Sequence, residues 1–282
     1  MSDGISPDIV GKTFDPIPVS WDQRDAILYA LGVGAKPADQ LDFVYEGRGP
    51  KVLPTYGVIP GMASMGGLMG IIQFNLAMLL HGEQSITLHR EIPPNAKATT
   101  RGSVTEVWDK GKAAVIGVEG IVEDDDGPIC TTHATMFIRG AGGFGGERGP
   151  SSEGKNAPPD REPDHVVSDF ILPQQGALYR LSGDINPIHI DPNFAQMGGF
   201  DKPFAHGLCT YGFVGRAILQ ALCGGDPARF GSFEARFADR VQFEDTVTTK
   251  MWVTAPGEAM VEAVTQAGNV VLSQARATFT EG

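Results

Sequence analysis

Cysteine is scarce in this sequence. Its 282 residues include three cysteines, Cys130, Cys209 and Cys223, and no two of them form a CxxC pair. An odd and widely spaced set cannot supply the disulfide framework of a small secreted protein. We therefore expect the chain to fold in a reducing compartment.

Basic residues are also few. There are 22 lysines and arginines against 34 aspartates and glutamates, so the formal net charge is −12. A chain of this charge lacks the basic field that binding to nucleic acid requires, which excludes nucleic acid as the main partner. A small phosphorylated ligand is still allowed, because a few local cations can override the mean charge.

Long hydrophobic runs are missing as well. The longest one, Met65 to Leu80, is shorter than a membrane span and is interrupted by Gln73 and Asn75. The first residues, MSDGISPDIVGKTF, do not have the basic region and apolar run of a signal peptide. We expect a bacterial cytoplasmic protein with no membrane partner.

A proline-rich and charged stretch, ERGPSSEGKNAPPDREPDH, divides the chain into two parts of similar size. The sequence predicts a first half over residues 1–146, a linker over 147–165 and a second half over 166–282.

The two halves show the same order of patterns. Leu28-Tyr29 recurs as Leu178-Tyr179, 150 positions later, and each half continues with a glycine-containing apolar segment that predicts a long helix, over 65–80 and over 207–222. Each half then ends in β-type segments, at 85–91, 98–107, 113–122 and 129–138, and at 233–241, 246–253, 260–266 and 269–279. The pattern predicts an α+β fold built by duplication rather than a Rossmann fold.

The segment GAGGFG, Gly140 to Gly145, matches the GxGxxG pattern of dinucleotide-binding loops. That fingerprint requires a helix directly after the glycines, so that phosphate meets the helix N-terminus. Here the glycines are followed by ERGPSSEG, which does not start a helix. We interpret the segment as a flexible loop.

The segment YRLSGDINPIHID places Asp184, Asn186 and His189 within six residues. Pro187 stiffens this loop. A carboxylate, an amide and an imidazole can together hold a water molecule and exchange its protons near neutral pH. The alternative is that Asp184 and Asn186 only cap a turn and that His189 is hydrogen-bonded to the backbone.

A second segment, FDKPFAHGLCT, brings His206 and Gly207 to the start of the predicted second-half helix. Amides at a helix N-terminus favour negative charge. The Gly207 N–H is therefore a candidate donor to an oxyanion that develops on a thioester.

Two other chemistries stay open. His189-x-Asp191 together with His206 has the composition of a two-His, one-carboxylate metal site. A Ser182 or Cys209 nucleophile is less well supported, because neither residue has an evident base or motif around it.

The runs YRLSGDINPIHIDP and GFDKPFAHGLCT resemble the signature of the MaoC-like (R)-specific enoyl-CoA hydratases, in particular the hydratase 2 type. The segments LDFVYEG, LPTYGVIP, LLHGEQ, VWDKGK and FIRGAGGFGG extend the resemblance over nearly the whole chain. It implies a double hot-dog fold, a degenerate first half that makes room for the acyl chain, and a homodimer. The implied reaction is reversible hydration of a trans-2-enoyl-CoA to a (3R)-3-hydroxyacyl-CoA, with neither metal nor redox cofactor.

The resemblance also implies roles for single residues. Asp184 and His189 become the catalytic pair, Asn186 helps to hold the water, Gly207 supplies the oxyanion N–H, and Glu46 and His206 have supporting roles. The implied substrate-binding positions are His81, Gly82, Lys110, Ile185, Pro187, Ile188 and Phe237. The segment FADRVQFEDT departs from the family pattern KPVYPGQT and is more acidic.

Two rival functions remain. A hot-dog acyl-CoA thioesterase would release free CoA, although thioester hydrolysis does not need the GDINPIH loop. A non-catalytic acyl-CoA-binding subunit would turn over no substrate, although the complete set of Asp184, Asn186 and His189 argues against it.

Overall fold

The computed structural model describes residues 5–74 and 78–282. Its α-helices are α1 (Gln23–Gly32), α2 (Pro37–Val44), α3 (Val58–Gly61), α4 (Ala63–Leu68), α5 (Gln175–Tyr179), α6 (Pro192–Met197) and α7 (Gly207–Cys223). Its strands are β1 (Ile17–Trp21), β2 (Leu79–Leu88), β3 (Ala96–Asp109), β4 (Ala113–Asp124), β5 (Gly127–Arg139), β6 (His165–Phe170), β7 (Phe230–Phe237), β8 (Thr246–Ala255), β9 (Glu258–Thr265) and β10 (Val270–Phe279).

The chain forms two compact units. The first contains the described residues of Met1–Ser20, Gly57–Arg90 and Lys97–Lys155, and the second contains Trp21–Tyr56, Glu91–Ala96 and Asn156–Gly282. Helices α1 and α2 thus group with the second unit, although they precede the strands of the first in the sequence. The division into 1–146, 147–165 and 166–282 stays a prediction about how the chain was duplicated.

Each unit contains five strands in the same order. The order is β1-β3-β4-β5-β2 in the first unit and β6-β8-β9-β10-β7 in the second, so equivalent strands occupy equivalent places. The pairs β3–β4, β4–β5 and β2–β5 are antiparallel, as are β6–β8, β8–β9, β9–β10 and β7–β10. The predicted α+β class and the internal repeat are confirmed.

All eight strands expected from the sequence are present, with ends shifted by a few residues. The sequence did not predict β1 and β6. Both are short, and β1 contains Pro18 while β6 begins at His165, the last residue of the predicted linker. Short strands with proline or polar flanks give little periodicity, so they are missed.

Helix α7 is the central helix of the second unit. It has 17 residues, most of them buried, and it contacts β6, β7, β8 and β10. It ends at Gly224, which takes a left-handed φ of 63°. At Gly212, an added Cβ would lie 2.4 Å from Val33 Cγ1 and 2.8 Å from the Tyr29 hydroxyl. Glycine at this position therefore allows α7 to pack closely against α1 and the residue that follows it.

The predicted first-half helix over 65–80 is wrong. Helix α4 ends at Leu68, turns follow, and β2 begins at Leu79; residues 75–77 of the predicted helix lie outside the described residues. Glycine is a poor helix former, and Gly66, Gly67 and Gly70 fall in this stretch. Gly67 is needed for packing instead, because an added Cβ would lie 2.4 Å from Phe14 Cγ.

No helix among the described residues is long and apolar enough to span a membrane.

The glycine-rich segment wraps around a carboxylate of the protein itself. Asp109 Oδ1 accepts hydrogen bonds from the amides of Gly111 and Gly143, at 2.8 and 2.9 Å, and Oδ2 accepts one from Gly145 at 2.9 Å. Glu147 follows with irregular backbone and no helix, as expected. The loop therefore uses its amides to bind an internal anion.

These bonds make the stability of the first unit depend on pH. The Gly143 amide, then those of Gly111, Gly145 and Gly146, lower the pKa of Asp109, and burial opposes this effect. A carboxylate with a lowered folded-state pKa stabilises the fold above its unfolded pKa of about 3.9, and this contribution is lost as the pH falls through the folded value. We expect Asp109→Asn to lower the thermal midpoint at pH 7, and the gap to wild type to close below about pH 3.9. Thermal unfolding from pH 7 to pH 3 measures this, with the exposed Asp125→Asn as control. A gap that stays constant across this range would contradict the prediction.

Candidate active site

The loop between α5 and α6 is shaped by turns and local caps. A 3₁₀ turn over Arg180–Ser182 ends at Gly183, whose φ of 130° suits glycine. A second 3₁₀ turn over Pro187–His189 begins after Asn186, whose side-chain oxygen accepts from the Ile188 amide at 3.1 Å. The loop therefore has a defined backbone from which Asp184 and His189 project.

His189 is held by one carbonyl. Its Nδ1 lies 2.9 Å from the Phe204 carbonyl oxygen. Since a carbonyl only accepts, Nδ1 carries the proton and donates, which leaves the Nε2 lone pair of the neutral ring as a base. Burial lowers the pKa of His189, while the Phe204 carbonyl and the Asp184 charge oppose this effect. The ring is thus neutral and able to accept a proton at pH 7.

Asp184 lies half-buried beside the two histidines. Its Oδ1 accepts from the Asn186 amide at 3.2 Å, and its backbone carbonyl accepts from His206 Nε2 at 3.1 Å. The rings of His189 and His206 are 3.9 Å apart between centroids. One side-chain N or O atom from each of Asp184, His189 and His206 lies within 4.8 Å of the others. The structure therefore brings the predicted catalytic pair together with His206.

His206 is a buried, neutral histidine. It is 1% exposed, and burial, followed by the nearby His189, lowers its pKa to about 4. The ring donates through Nε2 to the Asp184 carbonyl and so holds the loop at the residue whose carboxylate is expected to react. This hydrogen bond is how His206 could support the reaction, and its supporting role stays a prediction.

Gly207 is the first residue of α7, with His206 at the N-cap. The first amides of a helix have no partner inside it, and the helix dipole makes them suited to an oxyanion. An added Cβ at Gly207 would lie 3.2 Å from two atoms of the Phe237 ring. Gly207 and the predicted substrate residue Phe237 are therefore direct neighbours.

The other predicted residues of the loop have less enclosed positions. Asn186 is exposed, and its side-chain oxygen accepts a hydrogen bond from the Ile188 amide. The side-chain NH₂ group of Asn186 is therefore the part that could donate to a water molecule. Ile185 is 68% exposed, and Pro187 and Ile188 are half-buried. Ile185 therefore lies on the outside of the loop, and the substrate-binding roles of Ile185, Pro187 and Ile188 stay predictions.

Four predicted residues lie elsewhere. Glu46 is exposed in a 3₁₀ turn over Glu46–Arg48, and among the described residues its carboxylate accepts no hydrogen bond. In the first unit, His81 and Gly82 lie in β2 at a register shift opposite Met136 and Thr135, and the Lys110 ammonium donates to the Arg148 carbonyl. Their roles stay predictions.

The two alternative chemistries have different outcomes. Asp191 does not join the histidines, because its carboxylate caps α6 by accepting from the amides of Asn193 and Phe194. The metal triad expected with Asp191 is therefore not formed. Asp184 takes the place of Asp191 beside His189 and His206, and these three residues could hold a metal ion. Cys209 is fully buried with Sγ 3.5 Å from the Gly32 carbonyl oxygen, and burial raises its pKa far above the ordinary value, so it is not an activated nucleophile.

Sequence reasoning missed Phe204, which orients His189. Phe204 acts through its main-chain carbonyl, and its ring also packs against His189 at 5.0 Å and 81°. Any residue has a carbonyl, so residue type gave no signal for the hydrogen bond. Its place two residues before His206 was the available clue.

Known proteins match both halves of the chain. Residues 19–140 match the MFE-2 hydratase 2 N-terminal domain, and residues 155–275 match the MaoC like domain. A Dictyostelium discoideum protein named "Probable enoyl-CoA hydratase 2" is 38% identical over 94% of this chain and 93% of its own length. The mouse peroxisomal multifunctional enzyme type 2 is 40% identical over 94% of this chain, which spans 37% of that longer protein.

Solved structures agree with these matches. A MaoC-like dehydratase from Phytophthora capsici superposes with a TM-score of 0.87 at 32% identity, covering 98% of both chains. The double hot-dog fold expected from the resemblance is confirmed, since the similar structures include one described by that fold. With a relative of full length at 38% identity and both domain models matched, the chain belongs to the MaoC-like hydratase 2 family.

Proposed function

We propose that this chain hydrates trans-2-enoyl-CoA reversibly to (3R)-3-hydroxyacyl-CoA. The observation that carries the proposal is that the His189 ring, with Nδ1 on the Phe204 carbonyl, lies together with the Asp184 carboxylate and with His206, the N-cap of α7. Relatives named enoyl-CoA hydratase support the reaction class. The acid–base pair and the helix amide are the parts that addition of water to a polarised double bond requires.

The reaction balances with groups of this chain alone. A water molecule held between Asp184, His189 and the Asn186 amide gives up a proton to the pair as its oxygen bonds to C3. The electrons of the double bond move onto the thioester carbonyl, where the Gly207 N–H stabilises the enolate oxygen. The pair then returns a proton to C2, so H and OH have added across the double bond with no net oxidation or reduction.

The assay distinguishes this function from its rivals. Purified chain with a trans-2-enoyl-CoA should lower the absorbance of the conjugated thioester reversibly, and chiral analysis should give the 3R product. A chelator in the assay should leave the rate unchanged, since we propose that no metal takes part. Release of free CoA thiol at the same rate would instead support a thioesterase, and no change with any enoyl-CoA would support a binding subunit.

The lowered pKa of His189 predicts the pH dependence. The base is the neutral ring, which is present above the folded pKa and lost as the pH falls through it. Because burial lowers the pKa from 6.5, the acid limb of kcat/KM should lie below pH 6.5. A pH profile from 4 to 9 measures this, and an acid limb above pH 6.5 would contradict the assignment of His189 as the base.

We also propose that the chain works as a homodimer in a bacterial cytoplasm, as the resemblance implies. Sedimentation equilibrium of the purified protein tests the dimer, and a monomer at assay concentration would reject it.

A further inference from the structure

Arg240 lies on a pair of packed aromatic rings beside the site. Its Cζ is 4.8 Å from the centroid of Phe200 and 5.7 Å from that of Phe204, and these two rings are 4.9 Å apart. A cation–π contact of this kind restrains the guanidinium, and among the described residues its N–H groups donate to no acceptor, so they are available to a ligand. The side chain is exposed, so a ligand from solvent can reach those groups.

The arginine–phenylalanine stack of Arg240, Phe200 and Phe204 adjoins His189 directly. The Phe204 carbonyl holds His189 Nδ1, and the Phe204 ring centroid is 5.0 Å from that of His189. The Arg240 Cζ is 5.7 Å from the Phe204 centroid, so the Phe204 ring contacts both the guanidinium and the His189 ring. The Ala205 amide also donates to the Val241 carbonyl at 2.9 Å, which ties the two segments together.

Among the residues that the structure describes, no carboxylate forms an ion pair with the Arg240 guanidinium, whereas Arg90, Arg101, Arg161, Arg216 and Arg276 each have one. The chain carries a net charge of −12, so Arg240 places a local positive charge beside the site in a protein that is negative on average. Arg240 also lies in FADRVQFEDT, the segment that departs from the family pattern.

We propose that Arg240 is a substrate-binding residue that donates hydrogen bonds to an oxygen acceptor in the carrier arm of the thioester. A guanidinium fork suits phosphate oxygens and also binds amide carbonyls, both of which the phosphopantetheine arm of CoA offers. This inference rests on the proposed function, since it assumes that an acyl-CoA enters beside His189.

The test uses Arg240→Met, which keeps an apolar side chain over the rings and removes the charge. Three thioesters of one acyl group are compared, crotonyl-CoA, crotonyl-pantetheine and crotonyl-N-acetylcysteamine. We expect KM for crotonyl-CoA to rise about tenfold, as for loss of a hydrogen bond to a charged group, with kcat within about twofold. The N-acetylcysteamine thioester, which lacks most of the arm, should show no change.

The pantetheine thioester identifies the acceptor. A loss confined to crotonyl-CoA supports binding of a phosphate, and an equal loss with crotonyl-pantetheine supports binding of an arm carbonyl. Arg240→Lys should restore part of the loss, and Arg24→Ala, which removes an exposed arginine on α1, should leave all three substrates unchanged.

Two outcomes would overturn the proposal. An equal loss with all three thioesters, or a fall in kcat, would mean that Arg240 acts through Phe204 on His189, and no change would mean that it does not touch the substrate. Neither outcome affects the proposed function, which fails only if the wild-type chain hydrates none of the three thioesters.

Discussion

Asp184→Asn and His189→Gln are each expected to lower kcat by about 10²–10⁴-fold, the range that a positioned acid or base contributes. Asparagine keeps the shape of the aspartate but cannot accept and return a proton. Glutamine can still donate a hydrogen bond to the Phe204 carbonyl, yet it offers no lone pair of imidazole basicity. The measurement is steady-state hydration of crotonyl-CoA and of a longer trans-2-enoyl-CoA.

The same loop supplies a matched control. Asp191 is seven positions after Asp184, and its carboxylate only caps α6. Asp191→Asn should keep kcat near the wild-type value and at most weaken the cap, by about 1 kcal/mol of unfolding free energy. A near-wild-type kcat for Asp184→Asn or for His189→Gln would reject the assigned acid–base pair.

Arg216→Ala is expected to lower the free energy of unfolding by about 3–5 kcal/mol, because it leaves a buried carboxylate without its partner. Arg216 Nη2 lies 2.5 Å from Asp169 Oδ1, and the two side chains are 7% and 9% exposed. The same guanidinium donates through Nε to the Val33 carbonyl and through Nη1 to Gln40 Oε1, both at 2.9 Å. It thus joins α7 and β6 to the segment that carries α2.

Denaturant unfolding of paired variants checks this expectation. Arg276→Ala breaks an ion pair with Glu258 whose side chains are 40% and 28% exposed, and it should cost no more than about 1 kcal/mol. The double variant Arg216→Met with Asp169→Leu should recover most of the loss, since it leaves no unpaired buried charge. If Arg216→Ala cost no more than Arg276→Ala, Arg216 would not have the structural role given to it.

Much of the fold was predictable because its signals are local. Strand β9 shows such a signal, since its buried and partly buried residues alternate without exception. Helix α7 combines an apolar sequence with a glycine just past its end, Gly224, and both features are visible in the sequence. The Asp184 and His189 loop was predictable from its composition and its resemblance to the family.

The remaining features depend on contacts between distant residues. In the stretch expected to form a helix over 65–80, α4 ends at Leu68, and Gly67 packs against Phe14, a residue more than fifty positions away. The anion-binding role of Gly143 and Gly145 depends on Asp109, and the orientation of His189 depends on a main-chain carbonyl. No local pattern encodes these partners, so they require the structure.

The two units share a strand order but differ in their helices, and this difference affects the number of active sites that we expect per chain. In the second unit a 17-residue helix starts directly after His206, so its dipole and first amides meet the acid–base loop. In the first unit the equivalent stretch breaks into α3 and α4, of four and six residues. Since the loop with Asp184 and His189 meets a long helix only in the second unit among the described residues, we expect a tight reaction-intermediate analogue to titrate one equivalent per polypeptide.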